Sequence, residues 1–167
     1  AALLEREIPV TFHSHGGWFR GVAHGVGHRN VEVRTAQYRM SFDEAACLRF
    51  AKDLVAAKIA NQRTILRRNW RGPPEERQAA LDRLAAARKS AAGAAMPGQL
   101  LGVEGDAASV YFRAFASLLR PPEDRHEAGE LAPFRFEARN RRPPTDPVNA
   151  MLSLAYAMLT RHLAIAL

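Results

Sequence analysis

Glu104 is the residue whose position most needs a chemical explanation. On a wheel at about 100° per residue, the surrounding segment puts Leu100, Leu101, Ala107, Ala108, Tyr111, Phe112, Phe115, Leu118 and Leu119 on one broad face, with Glu104 in its middle. Asp106, Ser109, Arg113 and Ser117 take the opposite side. A carboxylate turned toward a core costs on the order of several kcal/mol unless it is paired or coordinates a metal. One reading is a salt bridge to a basic side chain reaching in, or an acid held neutral. The other is a metal ligand or acid–base group, since such groups occur where surroundings shift a pKa. The neighbouring Gly105 costs a helix about 1 kcal/mol relative to alanine, which suits close approach of backbone or ligand.

An earlier helical pattern carries a second anomaly. Leu54, Val55, Ile59, Ile65 and Leu66 define an apolar arc on which Lys58, Asn61 and Gln62 also fall. Lys58 either snorkels its stem past the core edge or, with Asn61 and Gln62, lines a polar site or DNA path beside Glu104. Arg63, Arg67 and Arg68 lie off the arc, where they are solvated or meet phosphate. Near the C-terminus Asn149, Ser153, Tyr156 and Thr160 form a stripe of uncharged hydrogen-bonders beside Leu152, Leu159 and Leu163. That stripe either locks helix to helix or lines a cavity where Asn149 and Tyr156 contact a phosphate or reacting group. Arg139, Arg141 and Arg142, stiffened by Pro143 and Pro144, offer guanidinium forks that suit phosphate oxygens and equally suit internal ion pairs. The histidines at 13, 15, 24 and 28 match no structural zinc spacing and have no cysteine cluster beside them. No nucleophile-elbow sequence supports a hydrolase triad either.

These residues need elements to position them. Residues 8–39 alternate in short runs (Ile8, Val10, Phe12; Val31, Val33) broken by glycines, which predicts strands and turns, the tail of a small β module. Ser41 and Glu44 have capping-box spacing, and a long helix follows to about Trp70. Gly72, Pro73 and Pro74 punctuate, and an Ala-, Leu- and Arg-rich helix covers 75–92. Pro97 opens a third helix to about Leu119; 123–147 is mostly loop; Asp146 and Pro147 cap and open a last helix.

The chain has 167 residues, of which 47% are apolar, enough for a proper core and too apolar for wholesale disorder. Twenty-four Lys and Arg against 17 Asp and Glu leave +7, which favours a polyanionic partner and makes nucleic acid the first suspect. The lone Cys47 can form neither an internal disulfide nor a thiolate zinc cluster, so a reducing cytoplasm is the plain reading. The stretch 150–159 is too short and interrupted to span a bilayer. Ala1 in place of Met, and an apolar C-terminus without a cap, read as cut ends.

Four segments in this order resemble the CRISPR-associated spacer-acquisition integrases of the Cas-one family. They are 13–19 (HSHGGWF), 58–63 (KIANQR), 101–108 (LGVEGDAA) with Tyr111 and Phe112, and 140–150 (NRRPPTDPVNA) with Leu152, Ser153 and Tyr156. The resemblance implies a mainly α protein: the C-terminal part of a β domain over 1–39, then an all-helical catalytic domain over 40–167 whose own C-terminal part is missing. It implies that Glu104 is a catalytic residue and metal ligand for Mg2+ or Mn2+, and that Asn149 and Tyr156 border the site. The family's other ligands, a histidine and an acidic residue, lie further toward the C-terminus than this sequence extends, so the chain alone is expected to be inactive; His162 is not in the matching context. Lys58, Asn61, Arg63, Arg139, Arg141 and Arg142 become the expected contacts to DNA. Four copies of such a protein flank a dimer of Cas-two and join prespacer 3′ hydroxyls to the CRISPR repeat by transesterification. The implied partners are thus double-stranded and branched DNA, a second copy and Cas-two, with the segments most similar to members fused to the Cas-four nuclease. The residues by themselves also suit a non-catalytic DNA-binding or scaffolding helical subunit.

Overall fold

The computed structural model describes residues 2–15, 17–26, 31–119, 129, 134–141 and 143–166. In chain order its elements are α1 (Ala2–Glu5), β1 (Val10–His13), β2 (Phe19–Ala23), α2 (Val31–Ser41), α3 (Glu44–Asn69), α4 (Pro74–Gly93), α5 (Pro97–Ala114), a 3-10 turn (Phe115–Leu118) and α6 (Pro147–Ala166). The fold is mainly α with a small N-terminal β part. Two compact units divide it, Ala1–Gln37 together with Asn140–Leu167, and Tyr38–Arg139. The boundary between Gln37 and Tyr38 falls inside α2, and 140–167 groups with the N-terminal residues, whereas the sequence suggested a division at 39 and 40.

In the larger unit α3 runs unbroken because its 26 residues contain neither glycine nor proline. Asp43, in extended backbone, caps it by accepting from the Ala46 N–H at 2.9 Å. This corrects the expected capping box: Ser41 instead ends α2, its hydroxyl donating to the Tyr38 carbonyl at 2.7 Å. The cap falls to Asp43 because Phe42 and Asp43 still donate to the Arg39 and Met40 carbonyls, and only after that turn is the backbone extended. At the far end Trp70 is extended and its indole N–H donates to the Pro73 carbonyl. Arg71 N–H bonds the Ser117 carbonyl at 2.8 Å. A Cβ on Gly72 would stand 3.0 Å from the Ser117 hydroxyl oxygen, so the close approach of this turn to the 3-10 turn favours glycine. Pro74 and Pro97 occupy the first turns of α4 and α5, where a missing N–H does no harm.

The three helices enclose Ile59 and Leu66 of α3, Leu81, Leu84 and Ala91 of α4, and Leu100, Ala107, Val110 and Tyr111 of α5. Short connections make sequential helices antiparallel neighbours, so α3 and α5 run the same way. The buried stripe is narrower than the wheels predict: Leu54, Ile65 and Leu101 are exposed, Leu101 by 70%, and Val110 is buried instead. Among the described residues α3, α4 and α5 pack chiefly on one another, which buries a seam of each helix and not a full face. At the end of α5 Tyr111, Phe112, Phe115 and the buried Phe136 form an aromatic cluster with centroids 5.0–6.5 Å apart.

In the other unit β1 and β2 form an antiparallel hairpin, pairing Val10 with Ala23 and Phe12 with Gly21, irregular between Phe12 and His13. Gly17 turns it at φ 78°, a left-handed angle that favours glycine, and its N–H bonds the Ser14 carbonyl. The expectation of strand around Val31 and Val33 is overturned, since both lie in α2. Two β-branched residues alternating once carry no period. The following Ala36, Gln37, Arg39 and Met40 are good helix formers, and Thr35 bonds back to the Val31 carbonyl at 2.8 Å. No helix among the described residues is long and apolar enough to cross a membrane.

Leu84, fully buried, and Leu101, which the wheel places in the core and the structure does not, separate the two descriptions. Leu84→Ala is expected to lose about 2–5 kcal/mol of unfolding free energy, and Leu101→Ala about 0.5 kcal/mol or less. Urea titrations of both variants measure the contrast.

Candidate functional site

The acid singled out by its helical position has a partner. Lys58 of α3 donates from Nζ to Glu104 Oε1 of α5, an ion pair between side chains 38% and 27% exposed. The pair is half-buried, neither core nor free surface. On its inner side lie the fully buried Ile59 and Ala107; on its outer side Leu54, Asn61, Leu101 and Gly105 are exposed. Both α3 and α5 are continuous through the pair, so the two charges are held on stiff backbone. The tight approach expected at Gly105 is not made by the described residues, since a Cβ there would meet nothing within 4 Å. The glycine leaves an open strip beside the carboxylate.

Gln62, one turn beyond Lys58 on the same helix, is only 6% exposed. Its Oε1 is buried with no hydrogen-bond partner among the described residues. Side chains at i and i+4 share a helix face, so Lys58 and Gln62 stand one turn apart on the same face of α3. Asn61 points outward and is exposed. Arg63 is half-buried and donates from Nε to the Leu81 carbonyl at 3.0 Å, tying α3 to α4.

Asn149 and Tyr156 belong to the other unit. Asn149 is fully buried at the start of α6. Its Oδ1 accepts from the Asn140 N–H at 3.0 Å, its Nδ2 donates to Asp146 Oδ2 at 2.6 Å, and its backbone N–H donates to Asp146 Oδ1 at 2.8 Å. Asn140 and Thr145 close the loop with two more bonds: Asn140 Nδ2 donates to the Thr145 hydroxyl and Thr145 N–H donates to Asn140 Oδ1. The Asn149 amide thus works at both ends as a clasp between the loop and α6. The Asn149 side chain first, then its backbone N–H, with smaller help from Asn140 and Val148, hold the Asp146 carboxyl below its ordinary 3.8. Tyr156 is 39% exposed, and Thr160 donates to its carbonyl.

The arginines separate. Arg139, in the larger unit, holds its guanidinium 6.0 Å from the Phe112 ring centroid, a cation–π contact. Arg141 is exposed in the smaller unit, and Arg142 lies outside the described residues. His13 serves the hairpin, with its ring against Phe19 and its nitrogens near the Gly17 carbonyl and the Thr11 hydroxyl. The clasp of Asn140, Thr145, Asp146 and Asn149 is the feature that helical wheels miss, because it lies in loop and cap. The signal for it was Thr145 and Asp146 directly ahead of Pro147, with Asn140 five residues before Thr145.

A family described as CRISPR associated protein Cas1 matches residues 1–167. The chain is 56% identical over 165 residues to a CRISPR-associated exonuclease Cas4/endonuclease Cas1 fusion of Rhodospirillum rubrum, a match covering 99% of this chain and 28% of that protein. It is 39% identical over 162 residues to a CRISPR-associated endonuclease Cas1 of the same organism, covering 92% of this chain and 44% of the relative. The chain therefore spans between about a quarter and a half of the length of these relatives. Among solved structures it resembles a chain of a Cas6-RT-Cas1–Cas2 complex at TM-score 0.69 and 28% identity, over 98% of this chain and 17% of that one. A CAS1 protein from Thermotoga maritima matches in fold at TM-score 0.56 and 24% identity, over 95% of this chain and 45% of the other.

Two measurements test the site's groundwork. Gln62→Leu removes a buried oxygen without a partner and is expected to be neutral or stabilising by up to about 1 kcal/mol in urea titrations; a clear loss would mean the oxygen is bonded. The depressed Asp146 carboxyl contributes stability that is present above its unfolded value and is lost as pH falls through its lower folded one. Asp146→Ala is therefore expected to melt lower than wild type at neutral pH, with the gap closing on acidification below the carboxylate range. A gap independent of pH would detach the charge from the clasp.

Proposed function

The chain belongs to the Cas1 family of CRISPR-associated proteins, and from that premise we propose that it supplies one carboxylate and part of the DNA path of a metal-dependent endonuclease and integrase. The full-length protein would join prespacer 3′ hydroxyl ends to phosphodiesters of the CRISPR repeat. The observation that carries this reading is Glu104, an acid on the packed side of α5 that needs a cation and has an exposed strip beside it.

A carboxylate is a hard oxygen donor, and Glu104 fits as one ligand of Mg2+ or Mn2+. It is not a whole site: among the described residues no three His, Cys, Asp or Glu side chains come together to hold an ion. The full-length protein would add the remaining donors. When bound, such an ion stabilises charge on the phosphorane-like transition state and orients the attacking hydroxyl. The chain's own residues do the rest. The α3–α5 seam fixes Glu104, and Lys58 balances its charge. Asn61 and Arg141 are exposed and, with the +7 net charge, would meet phosphates. Arg63 and Arg139 would do so only with the nitrogens that Leu81 and Phe112 leave available. Asn149 would serve by the clasp it closes, and Tyr156, exposed on α6, would offer its hydroxyl to a phosphate or reacting group. Cas2 and a second copy are the proposed partners, from the likeness to the complex with Cas2, and a Cas4 domain from the fusion relatives.

A non-catalytic DNA-binding or scaffolding role is the second reading. The +7 net charge and the exposed Arg141 suit it, since phosphate contacts need no metal. The two part on one experiment with the full-length protein. Glu104→Ala is expected to lower divalent-dependent cleavage of branched DNA and 3′-end joining roughly a hundredfold or more, while DNA affinity changes little. Unchanged cleavage and joining would remove Glu104 from the chemistry and leave the binding role.

A further inference from the structure

Lys58 and Glu104 pose a problem of competition. A divalent cation at Glu104 and the Lys58 ammonium would claim the same carboxylate, and they repel each other. Three features of the pair suggest which of them gives way. First, Lys58 is 38% exposed, and an ion pair this open is weakly held. Second, its charge is a compact ammonium on a flexible four-carbon stem, which can swing where an arginine fork would stay locked on a carboxylate. Third, its other surroundings give an ammonium somewhere to go: the exposed Asn61 and the strip at Leu101 and Gly105 open to solvent, and on the same helix face Gln62 carries a buried oxygen with no partner among the described residues.

We propose that Lys58 is an exchangeable counter-ion: it neutralises Glu104 while no metal is bound, yields the carboxylate to a divalent cation, and then meets a phosphate of the DNA. The inference rests on the metal reading of Glu104 given above. It assigns Lys58 a positioning role with a definite sign. A lysine that merely props Glu104 in place would help metal binding, whereas an exchangeable counter-ion opposes it until DNA arrives. The same residue would therefore weaken cation binding to the free protein and strengthen DNA binding to the loaded one.

The test titrates Mn2+ into the full-length protein without DNA, reading free Mn2+ by electron paramagnetic resonance. Lys58→Met and Lys58→Gln are both expected to bind Mn2+ about three- to tenfold more tightly than wild type, and Lys58→Arg no more tightly than wild type. With Mn2+ saturating, DNA affinity of the Met and Gln variants is expected to fall, with the slope of log affinity against log salt reduced by about one. Mn2+ binding unchanged or weaker in folded Met and Gln variants, as judged by their thermal melts, overturns the exchange. Glu104→Gln is the control for the underlying reading: if it leaves Mn2+ affinity untouched, the metal assignment and the exchange fall together. If it abolishes binding while the lysine variants bind as wild type, only the exchange falls.

Discussion

An acid on the packed side of a helix is tolerable only beside a positive charge, and the Lys58–Glu104 pair is where this chain meets that condition. The rest of the larger unit bears on the same point. The two charges are 46 residues apart in sequence. They meet because α4 returns the chain so that the middle of α5 lies along the middle of α3. The turn at Gly72 sets that alignment, since the Arg71–Ser117 bond fixes the end of α3 against the 3-10 turn that follows α5. A shift of one residue along either helix would turn the carboxylate by about 100° and break the pair. The register of a three-helix seam is thus what presents Glu104 in one place.

What could be seen in the sequence follows from how local each determinant is. The helices were legible because propensity, proline at the first turn and apolar periodicity agree over many residues, as in Pro74–Gly93 and Pro97–Ala114. Residues 31–39 of this helix read as strand because two valines alternating once outweigh the helix formers behind them. Glu104 was legible as an anomaly of position, and Lys58 as a second anomaly on another helix. That the two answer each other depends on the register between helices, which no single wheel contains. The same limit explains Leu101: a wheel gives the direction of a face but not how much of it a neighbour covers.

The loop before α6 obeys different physics. Asn140, Thr145, Asp146 and Asn149 satisfy one another and the first N–H groups of the helix, so a proline-containing segment with little apolar content still has a defined shape. Periodicity cannot reveal such an arrangement, because it is built from single side-chain acceptors at particular backbone positions. Fully buried, Asn149 holds the Asn140 N–H with its side-chain oxygen and the Asp146 carboxylate with its side-chain nitrogen. The clasp also engages the backbone N–H of Asn140, the residue directly before the exposed Arg141.

Half-burial is what lets one site be both stable and reactive. A fully buried Lys–Glu pair would be hard to open, since parting it would strand two charges in a poor solvent. A fully exposed pair would do nothing to orient the acid. At 38% and 27% exposure the stiff helices hold Glu104 while water still reaches its partner, which is the condition the proposed exchange of counter-charge requires. Gly105 meets no side chain among the described residues, and with the buried Ile59 and Ala107 behind the acid, the solvent side is its open side among those residues.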